Sequence, residues 1–224
     1  MSAIETAPPP AHFSGVIEVV RENCVAALDL EKIFGRRAPL QVDLGCGEGA
    51  FLCELAQRCP EKNFLGIERL SGRVAKACRK ADKIDNVCVL QAETSSAVRY
   101  LLPPESVETF YLLFPDPWPK RRHHRRRIVS PEFLGSIYRA LEPRGTLHIA
   151  TDQLDYFQHI ERVARAIAQS AAPELDWFNQ SGCLMFEMIA VGNLELPVSK
   201  FEKRFRDRGA PIHRLTLRKV SPVT

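Results

Sequence analysis

Short apolar runs alternate along the chain with longer stretches whose apolar residues recur every three or four positions. Leu40–Leu44, Asn63–Ile67, Val87–Leu90, Val107–Phe114 and Thr146–Thr151 read as strands. Helical spacing falls at Val16–Phe34, Glu48–Gln57, Arg73–Lys83, near Ser95–Leu101, and at Pro131–Leu141 and Leu154–Ala168. Gly35 closes the first of these, and Ser130-Pro131 supplies a hydroxyl cap with proline at the first helical position. Such alternation predicts an α/β domain with a largely parallel sheet. After Pro173 the pattern weakens to strands near Cys183–Val191 and Ile212–Leu217, with a short helix around Lys200–Arg208. Pro8-Pro9-Pro10 marks residues 1–14 as a flexible N-terminal arm, leaving 15–224 as one domain without internal repeats.

Composition narrows the class. The 224 residues are 45% hydrophobic and 26% charged, as in ordinary soluble globular proteins, which excludes collagen-like, disordered and disulfide-scaffold chains. No apolar run approaches the ~20 residues of a membrane helix. The first residues show neither a basic n-region nor an apolar h-region, so the expected compartment is the cytoplasm. Seven scattered cysteines with no C-x-x-C pair read as free thiols, and no metal site is expected.

Charge changes the picture more. The formal net charge is only +4, from 31 basic and 27 acidic residues, but Lys120 to Arg127 read KRRHHRRR, six basic side chains without an acid. Taking those six from 31 leaves 25 against 27, so the positive charge is concentrated at one place and points to a polyanionic partner.

Three segments carry candidate chemistry. In Val42-Asp43-Leu44-Gly45-Cys46-Gly47-Glu48-Gly49 a strand ends, Gly45, Gly47 and Gly49 turn the chain, and a helix begins. Such a turn lets a ligand approach the backbone, and Glu68, at the end of the next strand, suits a ribose diol. Nicotinamide dinucleotides and S-adenosylmethionine share this layout. Asp43 and Glu48 rim the turn with acid, which repels a pyrophosphate and attracts a sulfonium and an ammonium group, so S-adenosylmethionine is the better cofactor. Glu48 also has a plain reading, favourable placement at a helix N-terminus.

Phe114-Pro115-Asp116-Pro117-Trp118-Pro119-Lys120 follows the fourth strand, at the end facing the ligand crevice of an open α/β sheet. Three prolines in five residues fix the directions of Asp116 and Trp118. Trp118 can stack on a base or plug the core, and the plug is the commoner role of a lone Trp beside a strand. The basic run follows directly. Arg121, Arg122, Arg125, Arg126 and Arg127 read as a flexible string of phosphate contacts to a nucleic acid. Ser199-Lys200-Phe201-Glu202 has the S-x-x-E spacing of a capping box and by that spacing alone only starts a helix.

In order and content these segments resemble the bacterial tRNA (guanine-N7-)-methyltransferases. FPDPWPKRRHHRRRI is similar to that family's signature, and FGRRAPLQVDLGCGEG, GIE, Ala150-Thr151-Asp152 and SKFE fall where its other motifs stand. The resemblance spans about Phe34 to Leu217 and implies an α/β class I methyltransferase (Rossmann-like) fold. Its seven-stranded, mostly parallel sheet has helices on both faces and a last-inserted antiparallel strand. It implies methylation of guanine at position 46, in the tRNA variable loop, by S-adenosylmethionine. Carried over, Asp43, Glu68 and Glu93 match cofactor-binding acids, with the glycines beside them, and Asp116 matches a position of cofactor contact and catalysis. Lys120, Asp152, Ser199, Lys200, Phe201 and Glu202 match substrate-binding positions. Ser199 replaces the usual threonine, and Glu93 stands where aspartate is common. The partner implied is tRNA, with no membrane or metal, for a monomer or homodimer.

Guanine N7 offers a lone pair without losing a proton, so alignment matters more than acid–base chemistry, and Asp116 reads as an orienting and electrostatic group. Glu202 and Asp152 are candidates to accept the guanine N1–H and amino protons. Rival readings are an adenine-N6 nucleic-acid methyltransferase, because Asp116-Pro117-Trp118 resembles the Asp-Pro-Pro-Tyr motif, a non-catalytic RNA-binding module, and an NAD-dependent oxidoreductase disfavoured by the acidic rim.

Overall fold

A computed structural model describes residues 16–18, 27–169, 185–189 and 196–220. The expected arm at residues 1–14 lies outside the described residues, as do Cys24 and Cys183.

The elements run in the order β1 (Val16–Glu18), α1 (Leu30–Phe34), β2 (Leu40–Leu44), α2 (Ala50–Arg58), β3 (Asn63–Glu68), α3 (Ser71–Ala81), β4 (Val87–Gln91) and α4 (Thr94–Ser96). A π-helical turn at Ala97–Leu101 leads into β5 (Val107–Leu113), and a 3-10 helix at Arg121–Arg126 precedes α5 (Pro131–Ala140) and β6 (Leu141–Thr151). Helix α6 (Leu154–Gln169), β7 (Met185–Ile189), α7 (Lys200–Arg206) and β8 (His213–Val220) complete the order. The five strands expected before residue 152 all form, because strands buried on both faces carry continuous apolar runs. Val16–Phe34 is corrected: residues 16–18 are a strand, only Leu30–Phe34 are helical, and 19–26 lie outside the described residues.

The sheet order is β1-β4-β3-β2-β5-β6-β8-β7. Strands β4 to β7 of that order form the expected seven-stranded sheet, and β1 adds a short parallel edge beside β4. Strand β8 runs antiparallel to both β6 and β7, as the inserted last strand should. The chain winds outward from β2 in one direction and from β5 in the other, so the topological switch point lies between these two parallel neighbours.

Helices cover both faces. On one, Val42, Phe110, Leu112, Leu147 and Leu217 pack with Phe133, Leu134 and Ile137 of α5 and Tyr156 and Ile160 of α6. On the other, Phe64, Val89 and Tyr111 pack with Phe51, Leu52 and Leu55 of α2 and Val74 and Ala77 of α3. Among the described residues no helix is long and apolar enough to cross a membrane.

Candidate functional site

A cleft of about 1230 Å³ opens over the carboxyl ends of β2 and β5, where a doubly wound sheet binds its ligand. Its wall brings together Asp43, Gly45, Gly47, Glu68, Glu93, Asp116, Ser199, Lys200, Phe201, Arg125 and Arg126 from distant parts of the sequence. Gly49, Lys120, Asp152, Glu202, Arg121 and Arg122 are not part of that wall.

The glycine turn is shaped by backbone need. Gly45 and Gly47 adopt φ of 78° and 57°, and the space a Cβ would fill is open at both, so a ligand can lie against the main chain there. Gly49 serves packing instead: a Cβ at this residue would come within 3.0 Å of the Ala77 methyl, and its absence lets α2 sit close to α3. The Gly45 and Cys46 amides both donate to the Ile67 carbonyl, which ties the turn to β3.

Glu68, buried at the end of β3, accepts from the Gly47 amide at 3.2 Å and the Leu70 amide at 2.9 Å, with the Arg73 guanidinium 3.8 Å away. Each oxygen keeps a second lone pair for a ligand hydroxyl. The Asp43 carboxyl is pushed up to about 7, by burial first and by the neighbouring Glu68 charge second. A buried pair of acids under electrostatic stress is relieved by a cation. Open glycine backbone, an anchored diol acceptor and an acid short of positive charge fit S-adenosylmethionine.

Glu48 behaves differently from the expectation of an acidic rim. Its two carboxylate oxygens take Lys76 and Lys200, each at 2.8 Å, and these lysines hold its carboxyl down to about 2. Its charge is therefore already matched, and the preference for a cationic ligand rests on Asp43 and Glu68. Glu93 caps α4 through the amides of Ser95 at 3.0 Å and Ser96 at 2.7 Å. Burial alone would raise its carboxyl, but these amides outweigh it and hold it low.

Asp116 is exposed in the loop after β5, lining the cleft. Two non-glycine residues with positive φ bracket it, Phe114 at 54° and Trp118 at 44°. Backbone held in this region is strained and persists where its surroundings fix it. Phe114 packs on Phe205 of α7 with ring centroids 5.3 Å apart, and its amide donates to the Ala150 carbonyl at 2.7 Å. Trp118 corrects the expectation of a core plug. It is half-buried in the cleft wall, with Arg126 5.0 Å over its ring and His123 edge-on. The basic run is likewise not a loose string, since Arg121–Arg126 form the 3-10 helix that this contact braces.

Arg127 is the exception within the run. It is buried, donating Nε to the Pro117 carbonyl at 2.9 Å and ion-pairing with Asp155. Its guanidinium also lies over the Tyr156 ring at 4.9 Å. The expected phosphate contact by Arg127 is corrected: this guanidinium anchors the proline loop to α6, and Arg121, Arg122, Arg125 and Arg126 remain exposed.

Ser199 caps α7, its Oγ accepting from the Glu202 amide at 3.1 Å, as the S-x-x-E spacing predicts. Glu202 is buried, and one carboxylate oxygen accepts from both Arg206 and Arg214. That oxygen fixes α7 to β8, and Glu202 lies behind the cleft wall rather than in it. Asp152, beyond the end of β6, accepts from the Gln153 side chain at 2.9 Å. Sequence reasoning missed Leu70, Arg73 and Arg204 in the cleft wall. For Arg204 a signal existed, since it lies three residues after Phe201 and four after Lys200, on one helical face.

The chain matches a family profile described as "Putative methyltransferase" over residues 37–215. It is 37% identical over 194 residues to the tRNA (guanine-N(7)-)-methyltransferase of Alkalilimnicola ehrlichii, covering 86% of this chain and 77% of that protein. The tRNA (guanine-N(7)-)-methyltransferase of Halorhodospira halophila is 37% identical over 193 residues, covering 85% of this chain and 79% of its own. A solved structure of an antibiotic related methyltransferase superposes with a TM-score of 0.54 at 15% identity, over 88% of this chain and 97% of that one. At that identity the likeness establishes the fold alone.

Proposed function

The chain belongs to the tRNA (guanine-N7-)-methyltransferase family, and from that premise we propose that it methylates guanine N7 in tRNA, at position 46 of the variable loop. The observation that carries this reading is one cleft holding an acid-stressed glycine turn, the strained Asp116 loop and the exposed Arg125 and Arg126 of the 3-10 helix. S-adenosylmethionine supplies a methyl group already bound to a positively charged sulfur.

Asp43, Gly45, Gly47 and Glu68 hold that cofactor, Glu68 through its free lone pairs and Asp43 through its demand for positive charge. Glu93 lines the same wall and orients the adenosine end. Asp116 faces the guanine. Because N7 loses no proton, the carboxylate has two tasks: orienting the base and stabilising the positive charge that develops on the ring. Holding the reacting atoms about 3–3.5 Å apart in line accounts for a large part of the acceleration, within the ~7–11 kcal/mol that orientation can supply. Lys200 and Phe201 contact the substrate from α7, with Ser199 setting their position. Lys120, Arg121, Arg122, Arg125 and Arg126 hold tRNA phosphates.

The test is incubation with methyl-labelled S-adenosylmethionine and bulk unmodified tRNA, followed by nucleoside analysis. Label in 7-methylguanosine is the expected result, and mass analysis of ribonuclease fragments of the product should place it at position 46. Label in N6-methyladenosine would move the enzyme to the exocyclic-amine class.

A further inference from the structure

Helix α7 carries a second block of positive charge, outside the basic run. Lys200–Arg206 hold four basic side chains against one acid, Glu202. Two of the four are matched at the protein's own carboxylates: Arg206 by Glu202 and Lys200 by Glu48. Lys203 and Arg204 are exposed and, among the described residues, neither side chain has an ion pair or hydrogen bond. Arg204 shares the cleft wall with Phe201, which is 48% exposed, and with Arg125 and Arg126 of the 3-10 helix. Two separate elements thus bring unmatched cations to one opening.

A nucleotide within an RNA chain has a phosphate on either side of it. When its base enters the cleft, both phosphates lie near the mouth, and cations from a single element reach only one flank well. We propose that Lys203 and Arg204 bind the tRNA backbone on the flank not held by Arg121, Arg122, Arg125 and Arg126, so that α7 forms the second half of a two-sided phosphate cradle. This rests on the tRNA reading above. It also gives the buried Glu202 a purpose: by ion-pairing with Arg206 and Arg214 it fixes the helix that presents the two free cations. Backbone contacts of this kind set register without reading sequence.

The experiment is the salt dependence of binding of an unmodified tRNA transcript, followed by fluorescence anisotropy for the wild type, K203Q/R204Q and R121Q/R122Q. Each lost phosphate contact lowers the log–log slope by about 0.7–0.9, so each double variant should lose about 1.4–1.8. R204K, which keeps the charge, should retain the wild-type slope and guards against a folding artefact. A K203Q/R204Q slope equal to wild type, while R121Q/R122Q falls, overturns the cradle and leaves the tRNA reading intact. A wild-type protein whose tRNA binding shows no salt dependence overturns the tRNA reading and the cradle with it.

Discussion

Lys200 Nζ lies 2.8 Å from Glu48 Oε2, joining the start of α7 to the glycine turn 152 residues earlier. The glycine turn and the start of α7 are therefore in direct contact through an exposed ion pair, and Lys76 holds the other Glu48 oxygen. Exposed pairs stabilise folds weakly, so Glu48→Gln should leave the melting temperature almost unchanged. Its effect belongs in the coupling between sites. A double-mutant cycle of Glu48→Gln and Lys200→Gln, read on cofactor affinity, should show a non-additivity of no more than about fivefold at low salt. That coupling should fade at about 0.5 M salt, where screening is strong. Coupling that persists unchanged at high salt would assign the link to something other than this pair.

Asp43 makes a prediction in which stability and function move in opposite directions. Burial and the Glu68 charge raise its carboxyl from an ordinary 3.8 to about 7. Between these values the native protein keeps a proton that the unfolded chain has released, so stability from this group is present below about pH 4 and lost as pH rises through about 7. Asp43→Asn carries no charge to desolvate. Without cofactor, it should melt above the wild type at about pH 8, with the gap closing by about pH 4. The same variant should bind S-adenosylmethionine poorly at every pH, whereas wild-type affinity should fall as pH drops below about 7. A melting difference independent of pH would mean that the buried charge costs nothing.

Arg127 separates a structural arginine from those proposed to hold tRNA phosphates. Arg127→Gln removes a buried guanidinium from the Pro117 carbonyl and Asp155, and should destabilise the fold by about 2 kcal/mol, within the range for hydrogen bonds to charged groups. Denaturant unfolding measures this directly. Its tRNA salt slope should match the wild type, unlike that of variants at Arg125 or Arg126. A lowered slope with unchanged stability would return Arg127 to the phosphate contacts.

The same residue marks how far the sequence could be read. Central strands such as β2 and β3 were legible because burial on both faces forces continuous apolar runs, and Ser130 and Ser199 announce their helices by cap chemistry. Glycine turn, Glu68 and Asp116 converge on one cleft because strand ends gather there in any doubly wound sheet. What failed depends on contacts distant in sequence. A run of eight residues does not disclose that Arg127, with His124 beside it, turns inward to Asp155, nor does S-x-x-E disclose that Arg214 on β8 meets Glu202. Val16–Phe34 misled because periodicity over few apolar positions does not exclude an edge strand, as at β1.

Asp116 bears the sharpest prediction about chemistry. Asp116 stands exposed in the cleft wall between two residues of positive φ, with Pro115 and Pro117 on either side of it. Guanine N7 has no proton to give, so the role proposed for this group rests on its charge and direction. Asp116→Asn keeps the shape and one acceptor oxygen but loses the charge, and kcat should fall by about 100-fold, the scale of one lost electrostatic contact in a transition state. The KM for tRNA should change little, because phosphate contacts dominate affinity. The deficit should also be the same from about pH 6 to 9, since no proton transfer limits the rate. If Asp116 were instead a general base, solvent hydroxide would substitute for it increasingly as pH rises, and the deficit would shrink. Single-turnover rates of the wild type and the variant across that range distinguish the two, and a shrinking deficit would reassign Asp116 to proton removal.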